Sequence, residues 1–468
     1  MFNIITATDS YKVTHAKQYP PGTTKVYSYL EARTGGEYDG CVFFGLQYLM
    51  EKYLSGQVVT REKIDRAEQL FDAHFGNGAL FNKEGWEYIL HAHGGRLPLS
   101  IKAVPEGTIV PESNVLVTIE NTDPQCAWLV NYVETLIVQV WYPITTATIS
   151  REMKKTIRRA LDISGDPAGM PFKLHDFGFR GVSSCESAAL GGAAHLVNFM
   201  GTDTIAGIEL LAEYYDAGVC GFSIPAAEHS TITSWGQDNE AEAYTNMLNQ
   251  FPTGLVAVVS DSYDIVNAVR NIWGGAALRD RVLKRDGVLV IRPDSGDPCE
   301  MLPMLLHVAG EAFGYTKNSK GYKVLNPKVR LIQGDGIDRN TLGFILQAIL
   351  ESGWSADNIA FGSGGGLLQK CNRDTLRMAF KCSYIEVGGL LRNVHKAPKS
   401  DMTKASKSGR LKLVKIDGVL TTIPAGVPGV DELIEVFRDG AVTVKYNLDG
   451  IRERAAVGPQ IKVAGEVA

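Results

Sequence analysis

Seven short aliphatic runs recur through the middle of the chain, and each ends in a polar or glycine-rich tip: FKLHDFGFRG, HLVNFMGTDT, GFSIPAAEHS, GLVAVVSDSYD, VLVIRPDSGDP, VRLIQGDGID and NIAFGSGGG. Successive tips are spaced roughly 25 to 40 residues apart, the length of a strand-plus-helix unit. The helices between the later runs are legible as well. RNTLGFILQAILESG places Leu342, Ile345, Leu346, Ile349 and Leu350 on one face and stops at Gly353. Uninterrupted aliphatic strands alternating with amphipathic helices predict an α/β fold with a parallel sheet. Seven such units predict a barrel-like domain whose polar strand ends gather at one face, where β/α barrels build their chemistry. An open doubly wound sheet is the alternative, and there the tips converge on a crevice.

The first part of the chain follows another pattern. REKIDRAEQLFDAHF is an amphipathic helix, and LPLSIKAVPEGTIVPESNVLVTIENTDP reads as antiparallel strands with Pro and Gly turns. Beyond the middle region a lysine- and serine-rich loop, HKAPKSDMTKASKSGRLK, leads into a second strand-rich stretch. The expected organisation is a barrel-like domain over 164–384 inserted in an α+β domain, with 1–163 and 385–468 packing together around it.

Composition narrows the class. The 468 residues are 45% hydrophobic and 21% charged, as in an ordinary soluble globular protein. A net charge of −5 supplies no global positive field for a nucleic-acid backbone or an anionic membrane, so neither is expected as a partner, and any phosphate binding must be local. Cys41, Cys126, Cys185, Cys220, Cys299, Cys371 and Cys382 form an odd set with no CxxC, which argues against a disulfide framework or a zinc site. His91 and His93 have no third ligand nearby in sequence and read as surface. No apolar run approaches the ~18 residues of a membrane span, and the N-terminus does not read as a signal peptide. A cytoplasmic protein is expected.

The tips carry the candidate chemistry. FGSGGGLLQKCNRDTLRMAF reads as a strand end, a glycine turn and a helix, a cradle in which backbone N–H groups and the helix dipole face an anion; a packing-driven turn is the bland alternative. Arg373, about two turns along that helix, would face back toward a phosphate or merely solvate the helix. Asp335, between Gly334 and Gly336, together with Arg292 and Asp294, adds carboxylates and a cation to the same mouth. Glu228 and His229 stand at another tip beside a row of hydroxyls, and Asp261 is the natural carboxylate to orient the imidazole, which can accept a proton or a phosphoryl group. Asp176, Phe177, Phe179, Arg180 and Asp203 can form a slot for a flat, electron-poor ring, although Phe179 suits the core equally well.

Taken together, ATDSYKVTHAKQYP, HDFGFRGVSS, GTDT, PAAEHSTI, VSDSYDI, IRPDSG, QGDG and FGSGGGLLQK closely resemble the nicotinamide phosphoribosyltransferases, which are type II phosphoribosyltransferases. The resemblance runs in order from the first residues to about residue 450. The paired-acid, Thr-containing phosphate loop of type I enzymes is absent. The resemblance implies formation of nicotinamide mononucleotide and pyrophosphate from nicotinamide and phosphoribosyl pyrophosphate, the salvage step toward NAD. It implies Mg2+ and ATP as co-substrate, with no protein residue assigned as a metal ligand, and a homodimer with active sites at the subunit interface. By motif, Phe177 and a Tyr11 from the partner subunit would sandwich the pyridine, with Asp9 alongside. Asp203 would accept the carboxamide N–H, and Arg180 and Arg292 would line the ring and phosphate region. Asp294 would hold the ribose diol. Gly334, Asp335, Gly364, Gly365 and Arg373 would surround the ribose and its 5′-phosphate, and Arg33, Lys381, Lys396 and Lys404 would meet the diphosphate or ATP phosphates. His229 is the implied site of ATP-dependent phosphorylation, with Glu228 and Asp261 in support.

Asp203 decides between substrates. Nicotinate would set its carboxylate against that of Asp203, and two charges ~4 Å apart cost about 4 kcal/mol at an effective dielectric of 20, roughly a thousandfold. The rival readings are a nicotinate phosphoribosyltransferase and a catalytically silent NAD- or phosphate-binding regulatory protein. Two departures stand out from the animal relatives: Ala257 replaces a serine that lines the amide tunnel, and the segment between Arg33 and Phe43 is shorter.

Overall fold

The computed structural model describes residues 2–76, 78–397 and 405–457. Two compact units emerge, one from Met1–Thr148, Leu211–Ala217 and Cys371–Ala455, the other from Ile149–Leu210 and Gly218–Lys370. Lys404 lies outside the described residues.

The second unit is built on a six-stranded sheet: β1 (Leu174–Asp176), β2 (Gly201–Thr202), β3 (Thr253–Val259), β4 (Asp286–Arg292), β5 (Val329–Gln333) and β6 (Ile359–Ser363). All pair in parallel, in the order β2-β1-β6-β5-β4-β3. The run GFSIPAAEHS is not a seventh strand. Residues 222–227 instead make single parallel bridges to both edges, Phe222 to Gly201 of β2 and Ala226 to Ala257 of β3. Thr202 N–H donates to the Phe222 carbonyl (3.0 Å), Ala257 N–H to that of Pro225 (2.9 Å) and Ala227 N–H to that of Ala257 (2.9 Å). Pro225 has no N–H to give, so a continuous ladder cannot form here. The sheet therefore curls into a barrel-like form with this segment across its seam.

The parallel strands are apolar on both faces because both are covered. On β4 the period of two turns Val288 and Val290 toward the lumen, where they meet Ala257, Ile332 and Phe177, while Leu289 and Ile291 are fully buried on the other face. The same alternation carries Arg292, two positions beyond Val290, to the lumen's mouth. The helix after β4 starts on a defined cap: Asp297 accepts from the Cys299 N–H (2.9 Å) ahead of Pro298–Phe313, with proline in the first turn. Helix Leu342–Glu351 buries Leu342, Ile345, Leu346 and Ile349 as the pattern predicts, while Leu350 is only half-buried.

The first unit is built on a seven-stranded antiparallel sheet in the order 390–393, 378–387, 23–32, 115–121, 99–103, 434–438, 441–442, so N- and C-terminal segments share one sheet. The helix Arg61–Phe75 runs from a Thr60 cap to Gly76, whose φ of 63° ends it, and buries Ile64, Ala67 and Phe71.

Two expectations are corrected. The helix after the glycine turn covers only Gly365–Leu368. Asn372 Oδ1 then accepts the N–H groups of Asp374 (2.8 Å) and Thr375 (3.1 Å), a side-chain turn that competes with helix, and Arg373 sits in that turn. His93 is not a free surface group, because its Nε2 lies 2.8 Å from Asp123 Oδ2, a partner distant in sequence.

Strand β6 passes so close to Phe177 that a Cβ at Gly362 would lie 2.0 Å from the ring's Cε2. At Gly334 the nearest atoms, Asp294 Oδ1 at 3.4 Å and the Phe177 ring at 3.5 Å, allow a methyl. Gly362→Ala should cost about 1–3 kcal/mol and lower Tm by roughly 2–10 °C. Gly334→Ala should stay within about 1 kcal/mol of the parent, with thermal melting of both variants as the check.

Candidate active site

The lumen of the parallel sheet is open. A cavity of about 1040 Å3 runs from Arg292, Asp294 and His229 at the C-terminal strand ends to Lys173, Arg330 and Asp357 at the N-terminal ends. Its waist is walled by Ala226, Ala257, Val290, Ile332 and Ala360. Barrels of this size ordinarily fill their interiors with branched side chains, so the alanines at the waist are what leave the space. The floor is closed by polar groups already engaged. Lys173 Nζ donates to the carbonyls of Ala356 (3.0 Å), Asp357 (3.0 Å) and Ile359 (2.9 Å), and burial lowers its pKa to about 8.

At the mouth one carboxylate organises three loops. Asp261, whose side chain is only 3% exposed, sets Oδ1 3.0 Å from His229 Nε2, while Oδ2 accepts from the Asp294 N–H (3.0 Å) and the Ser295 hydroxyl (2.6 Å). Asp294 in turn receives Arg292 in a two-pronged pair, Nε to Oδ1 at 3.2 Å and an Nη to Oδ2 at 2.7 Å. Such a fork fixes the guanidinium plane and leaves its remaining donors free to meet an anion. His229 opens the short helix His229–Thr233, and Glu228 is that helix's cap in a reciprocal box with Thr231, its carboxylate also receiving the Ser230 hydroxyl. Glu228 thus positions the histidine's helix.

A second corner forms at the ends of β1 and β2. Phe177 leans its ring on the Gly362 backbone, and Phe179, held equally for the core, is 41% exposed and lines the cavity with Arg180. Asp203 faces the same space. Its N–H donates to the Asp176 carbonyl (2.9 Å), and its Oδ1 accepts the Ser223 hydroxyl. Asp176 is fully buried behind this corner, with Oδ1 accepting the Gly178 N–H at 2.7 Å. Burial pushes its carboxyl up to about 6 against the help of the Thr204 hydroxyl and that N–H, and Asp203 adds to the push.

The sheet therefore brings Phe177, Arg180, Asp203, Glu228, His229, Arg292 and Asp294 into one cavity with Asp261 behind them. Gly334 and the exposed Asp335 follow β5, and Gly364 and Gly365 follow β6, where a Cβ at Gly364 would sit 3.3 Å from the Phe177 carbonyl. The other predicted residues belong to the first unit. Tyr11 is 57% exposed on the 3-10 segment Ser10–Lys17, and Asp9 Oδ2 accepts the Thr135 hydroxyl (2.9 Å). Arg33, Arg373, Lys381 and Lys396 share one electrostatic neighbourhood. Burial holds the Lys381 ammonium below the usual lysine range, Glu134 opposes, and Arg33, Lys396 and Arg373 push it further down.

Sequence reading missed Ser223, Ser295 and the Lys173 floor. Ser223 and Ser295 do lie in quoted tips, Ser223 two residues before Pro225 and Ser295 directly after Asp294. A serine, however, announces no partner until the fold supplies one.

The family model described as the nicotinate phosphoribosyltransferase (NAPRTase) family matches residues 172–440, and that of the nicotinamide phosphoribosyltransferase N-terminal domain matches residues 3–101. The nicotinamide phosphoribosyltransferase of Xanthomonas campestris pv. campestris (strain 8004) is 49% identical, covering 97% of this chain and 98% of its own. That of Acinetobacter baylyi is 33% identical, covering 97% of each. Among solved structures, nicotinate-nucleotide pyrophosphorylase from Pyrococcus furiosus superposes with a TM-score of 0.60 at 14% identity, over 97% of this chain and 96% of that one. Human nicotinic acid phosphoribosyltransferase does so with 0.57 at 15% identity, over 96% and 92%. These two show a shared fold. The chain belongs to the nicotinate phosphoribosyltransferase family, and its near full-length relatives within it are nicotinamide phosphoribosyltransferases.

Proposed function

We infer that this enzyme transfers the phosphoribosyl group of phosphoribosyl pyrophosphate to nicotinamide, giving nicotinamide mononucleotide and pyrophosphate in NAD salvage. The observation that carries the reading is one cavity holding both an aromatic-plus-carboxylate corner, Phe177 and Asp203, and the forked Arg292–Asp294 pair at the strand ends. A pyridine carboxamide suits the first and a ribose with anionic groups suits the second. The two near full-length relatives that bear this activity in their names support it.

In the reaction the ribose C1–O bond to pyrophosphate breaks as the ring nitrogen's lone pair forms the C1–N bond, through an oxocarbenium-like state akin to glycoside chemistry. The ring nitrogen carries no proton, so no general base is needed. The protein's work is alignment and charge. Phe177 stacks the ring, with Tyr11 from the partner subunit of a cytoplasmic homodimer as the second face and Asp9 beside it. Asp294 takes the diol, and Arg180 and Arg292 face the ring and phosphate region. Gly334, Asp335, Gly364, Gly365 and Arg373 serve the ribose 5′-phosphate. Arg33, Lys381, Lys396 and Lys404 are assigned to the diphosphate or to ATP phosphates. Mg2+, when bound, supplies charge neutralisation of the leaving pyrophosphate.

His229 is assigned the ATP-coupled step. Asp261 Oδ1 is acceptor-only, so Nε2 carries the proton and Nδ1 is left with the lone pair that would take the γ-phosphoryl group of ATP, releasing ADP. Its position on the same carboxylate as the Asp294 loop gives phosphorylation a short route to the substrate site.

Incubating the purified protein with phosphoribosyl pyrophosphate and Mg2+, with nicotinamide or nicotinate and with or without ATP, tests the reading by product chromatography. Mononucleotide should form from nicotinamide and increase with ATP; preference for nicotinate, or no product from either, overturns it. His229→Ala should abolish the ATP enhancement and leave an ATP-independent rate that is lowered, since no transfer step uses the imidazole but Asp261 loses its Oδ1 partner. Asp203→Asn replaces a like charge with a donor for a carboxylate, and should shift the nicotinamide-to-nicotinate ratio of kcat/KM toward nicotinate by about a hundredfold or more.

A further inference from the structure

We propose that Ser223 is a second specificity-determining residue, whose oxygen, with its one proton committed to Asp203, accepts the second N–H of a carboxamide. The inference rests on the proposed function and deepens it. Ser223 and Asp203 both line the cavity at the Phe177 corner, and the Ser223 hydroxyl donates to Asp203 Oδ1. A hydroxyl has one proton and two lone pairs, and an ionised carboxylate only accepts, so the bond has a single direction. With that proton used, Ser223 presents lone pairs to the cavity, and Asp203 presents Oδ2. The Ser223–Asp203 pair is therefore two acceptors with no donor left to offer.

A primary carboxamide brings two N–H donors on one nitrogen, one for each acceptor, and its carbonyl oxygen is left for the Arg180 side of the cavity. A carboxylic acid in its ionised form brings none. Asp203 repels it by charge, and Ser223 has no hydroxyl proton left to offer it. The position is held by backbone as well as by side chain. Phe222, just before Ser223, is bridged to β2, and Pro225, two residues on, accepts from Ala257 of β3, so the serine is pinned across the seam of the barrel. On the other side, the Asp203 N–H is fixed to the Asp176 carbonyl. Both members of the pair thus have little freedom to turn the hydroxyl elsewhere.

The test compares kcat/KM for nicotinamide and nicotinate in the parent, Ser223→Ala and Ser223→Thr, alongside calorimetric binding of nicotinamide to each. Ser223→Ala should lower the nicotinamide-to-nicotinate ratio about three- to tenfold, the worth of one neutral hydrogen bond. The loss should lie in the KM and Kd for nicotinamide, with KM for phosphoribosyl pyrophosphate within about twofold. Ser223→Thr keeps the hydroxyl and should restore most of the ratio. An unchanged ratio in Ser223→Ala, a loss spread equally over both substrates, or a Ser223→Thr variant as impaired as Ser223→Ala while thermal melting shows all three folded, overturns the assignment. Failure of the parent to turn over nicotinamide would count against the activity itself. The nicotinamide Kd values of the three proteins would then decide the role of Ser223 without turnover.

Discussion

The buried carboxylate of Asp261 is the constraint on which the mouth of the cavity depends. Its Oδ1 holds His229 and its Oδ2 holds both the backbone and the hydroxyl of the 294–295 turn. A carboxylate so enclosed must be satisfied on both oxygens, because an unpaired buried charge costs several kcal/mol. The loops after β3 and β4 and the helix starting at His229 are therefore not independent surface turns. Moving the histidine, or adding charge to its ring, perturbs the same anion that anchors Asp294, and through Asp294 the fork of Arg292. Coupling between the proposed phosphoryl acceptor and the proposed sugar site needs no longer path than this.

Beneath that mouth the architecture trades packing for space. Parallel strands feed alternate side chains into the lumen, and a well-filled barrel would make it solid. Here Ala226, Ala257 and Ala360 line the waist, while Gly362 yields its side-chain volume to the Phe177 ring. The cost of this emptiness is limited by the polar floor, where Lys173 donates to three backbone carbonyls. Ala257 belongs to the apolar patch with Val290 and Ile332 and adds no polar side chain to the waist. A ligand extending down this lumen would find hydrophobic contact and no hydrogen bond at that level.

Much of this was legible in the chain because buried parallel strands leave a conspicuous trace, and because the tips are where backbone geometry and chemistry coincide. VLVIRPDSGDP is both a doubly covered strand and, by its period of two, a vector that delivers Arg292 to the lumen. GFSIPAAEHS shows the limit. Its apolar content reads as a strand, but Pro225 and the need to bridge two edges reduce it to a seam with isolated contacts. The run after FGSGGG fails differently, because Asn372 offers local side-chain bonds that outcompete the helix its hydrophobic spacing suggests. Ser223 and Ser295 were invisible for a third reason: their meaning is a partner, and the partners, Asp203 and Asp261, arrive from strands distant in sequence.

The cationic group of the first unit has an energetic logic of its own. Lys381 is partly buried among Arg33, Arg373 and Lys396, and the opposing carboxylate, Glu134, is already engaged by the buried Lys12. Like charges gathered around a desolvated ammonium destabilise one another, and burial and neighbours together hold Lys381 below its ordinary range. An arrangement of this kind is unfavourable for folding alone and becomes favourable when a polyanion is present to share, since each phosphate oxygen converts mutual repulsion into paired attraction. Under the proposed function, such a cluster suits a diphosphate, which carries several charges, better than a ligand that carries one.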